Sequence, residues 1–257
     1  MWVYRSGDYE KDQVVLYEYT PTRGSEHPKR FLSGFSGYVQ VDGYEVYHGI
    51  EGITCAGCWF HLRRKFVEAD KSGNKTVPYY SLAAQGLSFI KRLNDIEIRC
   101  KDFTPQERKE VRIKESAPII NDFFSWVSKV TSEVLPQSLI GKALAYANKQ
   151  KPYLLTYLTD GRINFSSNAV ERSIRPFASH RNAWLFCDSP RGAEASAICY
   201  SIVETAKLNA LKPNEYLKFL LLELSQLSSE DSIVDFLPWA PSVPEHYRLP
   251  DVPAPNN

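Results

Sequence analysis

No stretch of this sequence stays apolar for long. No apolar run approaches the ~18 residues a membrane-crossing helix needs. The opening Met-Trp-Val-Tyr-Arg-Ser-Gly-Asp-Tyr-Glu has neither the basic segment nor the apolar core of a secretory signal. Cysteine is sparse and odd in number, five in 257 residues, which argues against a disulfide scaffold and for a reducing cytoplasm. There is no glycine-rich phosphate loop, no G-x-S-x-G elbow and no H-E-x-x-H, so nucleotide hydrolysis, acyl transfer and zinc proteolysis have no support. Net charge is almost absent, at +1, which at first speaks against a nucleic-acid partner. What remains is an ordinary globular composition, 43% hydrophobic, which excludes wholesale disorder and fibrous architectures. At ~150 residues per domain the length fits one large domain or two small ones.

The charge is unevenly spread. Glu215 to Asn257 holds seven acids and two bases, which leaves residues 1–214 at +6. Arg63, Arg64, Lys65, Lys71 and Lys75 lie within one short basic segment, and Glu171 to Arg191 has four arginines against two acids. Such patches are also what a solvated face looks like.

Along the chain, the first 60 residues read as strands. Met1–Arg5 and Gln13–Thr20 flank the turn residues Ser6-Gly7-Asp8 and form an antiparallel hairpin. Ser25–Leu32 allows one or two helical turns. Gly37 to Gly43 is a short strand with Asp42 at its end, and Ile53–Phe60 is another, feeding a basic helix with Leu62, Phe66 and Ala69 on one side. From Pro78 the period lengthens: Leu82, Gly86, Phe89, Leu93, Ile96 and Cys100 make one helical stripe. Thr104-Pro105-Gln106-Glu107 is a capping box. The next helix presents Ile119, Ile120, Phe123, Trp126, Val127, Val130 and Val134, with a kink expected at Pro118. A third helical stretch, Leu139 to about Leu158, is interrupted by Pro152. After Asp160-Gly161 come a helix carrying Glu171, a short strand at Ala183–Phe186 and two further helices. The first of these has its apolar side at Ala195, Ile198, Cys199, Ile202, Val203, Ala206 and Ala210, so Cys199 reads as core. The tail from Pro238 reads as an extended or disordered arm.

Three groups of residues could carry chemistry. Asp42, at the mouth of a strand, is placed to hold a metal or act as a base; an Asp before Gly is also ordinary turn chemistry. Glu171 follows Asn168 by three residues and precedes Arg175 by four, so helix capping and an i,i+4 ion pair could equally explain it. Cys55-Ala-Gly-Cys58 with His61 suggests a redox pair or half a zinc site, but no second ligand pair exists.

Taken in order, several segments resemble the transposases of the insertion sequence 66 family. They are Glu26-His27-Pro28 with Phe31-Leu32, Gly37 through Tyr47, Cys58 through Phe66, Gly141-Lys142-Ala143-Leu144 and Asn168 through Pro176. Trp184-Leu185-Phe186, Tyr200 through Asn209 and Leu237-Pro238-Trp239 continue the series. The resemblance reaches to about residue 240. It implies a DDE transposase: an α/β, RNase H-like mixed sheet in which three acids hold two divalent metals, Mg2+ or Mn2+. Asp42 then matches the second acid and Glu171 the third, and the helical block between them is an insertion. The resemblance also implies double-stranded DNA partners (transposon ends and target), with phosphate contacts from Arg63, Arg64, Lys65, Arg172 and Arg175. Cys58 and His61 would position the basic helix, and Asn168 the helix with Glu171.

Residues 1–77 are thus expected to be the first part of the core, 78–160 the helical insertion, 161–228 the second part and 229–257 an arm. The match begins at the family's second strand, so the first core strand and its aspartate are expected to be missing and the chain alone inactive. Asp8 and Asp12 sit at a hairpin turn and do not replace that aspartate. The hairpin is left with an exposed edge. The alternatives are a non-catalytic remnant that binds DNA or full-length transposase, and an unrelated RNase H-like nuclease or resolvase. Multimerisation, no membrane association and a cytoplasmic, nucleoid-associated location complete the expectations.

Overall fold

The computed structural model describes residues 1–71, 81–180, 187, 189–228 and 233–250, and shows a mixed α/β protein. The chain opens with β1 (Trp2–Arg5) and β2 (Val15–Glu18), paired antiparallel as the hairpin reading requires, with Arg5 opposite Val15. Gly24–Ser167 then forms one compact unit. Its elements are α1 (Glu26–Phe31), β3 (Gly37–Val41), β4 (Ile53–Gly57), α2 (Trp59–Lys71), α3 (Leu82–Arg99), α4 (Pro105–Val111), α5 (Ala117–Thr131) and α6 (Leu139–Leu155). The chain returns through α7 (Asn168–His180), α8 (Pro190–Leu208) and α9 (Pro213–Leu224), which belong with β1 and β2 to the second unit, Met1–Arg23 plus Asn168–Asn257. Residues 78–160 therefore share a unit with β3, β4 and α2. The strand expected at Ala183–Phe186 lies outside the described residues.

The larger core is aromatic and sits in the unit of β3 and β4. Trp59, Leu62 and Phe66 from α2, Ile90 and Leu93 from α3, and Ile120 and Phe123 from α5 are all fully buried. Trp59 stacks on Phe165 with 3° between the rings and meets the edge of Phe123. Full burial of each such side chain contributes about 1.5–3 kcal/mol, so this cluster dominates the unit's stability. The capping box forms as read, Thr104 and Glu107 each bonding the other's backbone, with Pro105 in the first turn of α4. The expected disturbance at Pro118 is a π turn at Arg112–Ser116, just before α5. Proline lacks an N–H and crowds the carbonyl four residues back, here Lys114, and a wider turn accommodates both. Helix α6 passes through Pro152 and tightens into a 3₁₀ turn at Thr156–Leu158.

That π turn delivers the side chain of Arg112, with no solvent exposure, into a polar hub. Its Nε and Nη2 donate to the two carboxylate oxygens of Glu97 at 2.9 and 2.8 Å. Its remaining N–H groups reach the carbonyls of Tyr157 (3.1 Å), Asp160 (3.0 Å) and Ile163 (2.8 Å). Arg108 donates to Glu97 at 2.7 Å, the Tyr157 hydroxyl donates to it at 2.6 Å, and the Arg112 guanidinium lies 4.0 Å over the Tyr157 ring. Burial opposes the charge on Glu97, but the two guanidiniums and the phenol outweigh it and hold the carboxyl below its ordinary value.

In the other unit, two sequence expectations are corrected. In α8, Ile198 and Cys199 are exposed, and the buried side turns toward Ala193, Ala197, Glu204, Thr205 and Ala206. The reason is hydrogen bonding. Thr205 Oγ1 both accepts the Val15 N–H and donates to the Val15 carbonyl, each at 3.0 Å, and Ser201 Oγ accepts the Tyr17 N–H at 2.8 Å. These hydroxyls also cover the outer edge of β2. The tail is not wholly extended: Ala240 and Val243 are buried against Leu211, Tyr216 and Leu220. Leu211 pairs with Arg248 in an isolated antiparallel bridge.

Candidate active site

β3 and β4 run parallel with Val41 opposite Gly57, so Asp42 and Cys58 leave the pair at the same, C-terminal edge. Ligands in open α/β sheets characteristically collect at that edge. Gln40 fixes the end of β3 by donating to the Asn164 carbonyl at 2.6 Å. The Asp42 carboxylate is exposed, and one of its oxygens accepts the Tyr44 N–H at 3.1 Å, closing a local turn. Gly43 occupies φ +91°, a region that favours glycine. The Tyr146 hydroxyl donates to the Asp42 carbonyl at 3.2 Å. Burial, then the charges of Cys58 and Asp42, push the Tyr146 phenol up to about 12 against the opposing Arg64, so it is a donor at neutral pH.

Cys58 is buried at the junction of β4 and α2, and its Sγ accepts the Ser167 N–H at 3.2 Å. Burial raises its thiol, but hydrogen bonds from His61 and Ser167 outweigh that and leave it below the ordinary value. His61 Nδ1 lies 3.5 Å from Ser167 Oγ. Both residues therefore tie the start of α2 to the segment after residue 163. Cys55 turns elsewhere, its Sγ 3.6 Å from the Tyr47 carbonyl, and burial pushes its thiol up. Both cysteines are free, and among the described residues no three His, Cys, Asp or Glu side chains gather as a metal would require. Beyond His61, Arg63, Arg64 and Lys65 are exposed, with Lys65 3.4 Å from Glu68.

Glu171 lies in the first turn of α7, where the helix dipole favours an acid, and is half-buried. Asn168 is the first residue of that helix. Arg172 and Arg175 are exposed, while Ser173 is buried and its carbonyl accepts the Tyr17 hydroxyl. Asp42 and Glu171 belong to different units. Sequence reasoning missed Tyr146. Nothing in its neighbourhood along the chain distinguishes it from a surface tyrosine of α6; only the approach of α6 to Gly43 does.

A family model described as the Transposase IS66 family matches residues 1–195, and one described as the IS66 C-terminal element matches residues 201–239. The class these models define is the transposases of insertion sequences. Within that class, the chain belongs to the IS66 family. Among curated relatives, the uncharacterized protein y4qI of Sinorhizobium fredii is 34% identical over 253 residues, covering 93% of this chain and 46% of its own length. The uncharacterized proteins y4hP and y4jD of the same organism are 29% and 28% identical, over 88% of this chain in each case. The chain spans less than half the length of these relatives. No solved structure matches it.

Proposed function

We propose that this chain carries part of the RNase H-like catalytic core of a DDE transposase, acting on double-stranded DNA at transposon ends and target sites. The observation that carries this reading is Asp42: an exposed carboxylate at the C-terminal edge of a parallel pair, with exposed Arg63, Arg64 and Lys65 on the helix after that pair, inside the family match. Its donor chemistry fits a hard cation such as Mg2+ or Mn2+, which prefers carboxylate oxygens, and Glu171 is the second ligand of the reading. When bound, two such ions supply charge stabilisation for the attacking and leaving oxygens of a phosphodiester. The protein's own part is to orient these carboxylates and to hold the phosphates. Arg63, Arg64 and Lys65 on α2, and Arg172 and Arg175 on α7, are the proposed phosphate contacts, with effects on affinity and register rather than sequence choice. Cys58 and His61 hold the start of α2, and Asn168 opens α7.

A DDE site needs a third acid, and the described residues offer none at a neighbouring strand end. Asp8 lies at the hairpin turn, 2.8 Å from Arg5. The purified chain is therefore expected to retard duplex DNA without cutting it, alone or as a multimer. Alanine at Arg63, Arg64 and Lys65 together should lower the salt slope by about 0.9 per lost phosphate contact. Mg2+- or Mn2+-dependent nicking of element-end DNA, abolished in Asp42→Ala, would show that the chain is active by itself. A second reading, a non-catalytic module that modulates full-length transposase through DNA or direct binding, is favoured by the same exposed bases. Inhibition of a full-length relative's strand transfer on adding the chain would support it.

A further inference from the structure

We propose that Tyr146, on α6, is a positioning residue for Asp42; this rests on the reading of Asp42 as a metal ligand. Four side chains at i, i+3, i+4 and i+7 of α6 face the segment after β3. Tyr146 bonds the Asp42 carbonyl, Lys149 pairs with Glu45, Gln150 lies against Gly43, and Tyr153 stacks on His48 at 4.1 Å. Asp42 is past the last ladder pair of β3, so β-sheet hydrogen bonds do not hold it. Its restraints among the described residues are the Tyr44 N–H, which is local, and the Tyr146 hydroxyl, which comes from a helix 104 residues away. Gly43 makes that approach possible: a Cβ there would lie 2.7 Å from Tyr146 Oη and 3.2 Å from Gln150 Nε2. Gln150 is 2% exposed, and its Nε2 has no hydrogen-bond partner among the described residues. A buried donor left unsatisfied calls for an explanation, and this one lies against the Asp42–Gly43 turn. A ligand carboxylate must be held to within ~0.5 Å of its working position, and a phenol anchoring the backbone of that residue does this without occupying either carboxylate oxygen.

The test uses the 257-residue chain and Fe2+ with ascorbate and peroxide, which cuts the backbone where the metal binds. Wild type, Asp42→Asn and Tyr146→Phe are compared by cleavage next to residue 42 and by thermal melting. Wild type should be cut there and Asp42→Asn spared. Tyr146→Phe should need about fivefold more Fe2+ for equal cleavage at an unchanged melting temperature, the fold-change that one neutral hydrogen bond carries. Wild-type cleavage in Tyr146→Phe, with or without a lower melting temperature, overturns the positioning role while leaving Asp42 as a ligand. No cleavage near residue 42 in wild type, or undiminished cleavage in Asp42→Asn, overturns both.

Discussion

Replacing Arg112 by alanine removes the centre of the polar hub. Glu97 would keep Arg108 and Tyr157 but lose its bidentate partner, and the carbonyls of Tyr157, Asp160 and Ile163 would lose the guanidinium donor, Asp160 keeping the Ile163 N–H. Breaking a buried ion pair from one side costs about 3–5 kcal/mol, because the remaining charge stays desolvated. That is a large share of the ~5–15 kcal/mol by which domains are stable. Thermal unfolding followed by the fluorescence of Trp59 and Trp126, both in this core, should report it, with a melting temperature lower by on the order of 10 °C. Arg112→Lys keeps the charge but not the planar fork and should fall between. The double variant Glu97→Leu/Arg112→Met should be less damaged than Arg112→Ala, since it leaves no unpaired charge. The pH dependence has a definite sign. The folded Glu97 carboxyl lies below its ordinary 4.5, so its contribution is present above pH 4.5 and is lost as pH falls through the folded value. A loss under about 1 kcal/mol in Arg112→Ala would refute the view that the hub holds this unit together.

Two further outcomes follow from backbone geometry. Gly43→Ala sets a Cβ 2.7 Å from the Tyr146 hydroxyl at φ +91°, and should cost about 1–3 kcal/mol in thermal unfolding. Thr205→Val keeps the shape but leaves the Val15 N–H and carbonyl without their partner, at about 1–3 kcal/mol, and should speed hydrogen exchange at the Val15 amide.

Apolar period and turn chemistry made much of this fold legible before any coordinates. Gly86, Leu93, Ile96 and Cys100 are buried along α3 as their spacing required, and Thr104 caps α4. Leu62, Phe66 and Ala69 line the inner side of α2, and the strand expected from Gly37 ends just before Asp42. The misreading of α8 has a physical cause. Hydrophobic spacing cannot anticipate that Ser201 and Thr205 will be turned inward to satisfy a strand edge some 190 residues away in sequence. The tail was misjudged because proline content signals a lack of regular structure, not a lack of burial; Val243 packs without a helix or strand of its own. For the candidate site, Asp42 and the basic residues after Cys58 were readable, whereas Tyr146 and Gln150 depend on where a helix lands.

The hydroxyls of Ser201 and Thr205 on the edge of β2 also set an order of events during synthesis. Residues 24–167 are complete, and their aromatic core can close, before α8 has been made. Translation at ~5–20 residues per second separates Val15 from Thr205 by roughly 10–40 s. Through that interval the hairpin carries polar backbone that α8 will later satisfy, while residues 24–167 can already be folded. β2 is thus made well before α8 yet finished only after it, and nascent copies sharing one messenger have time to find each other's unfinished strands.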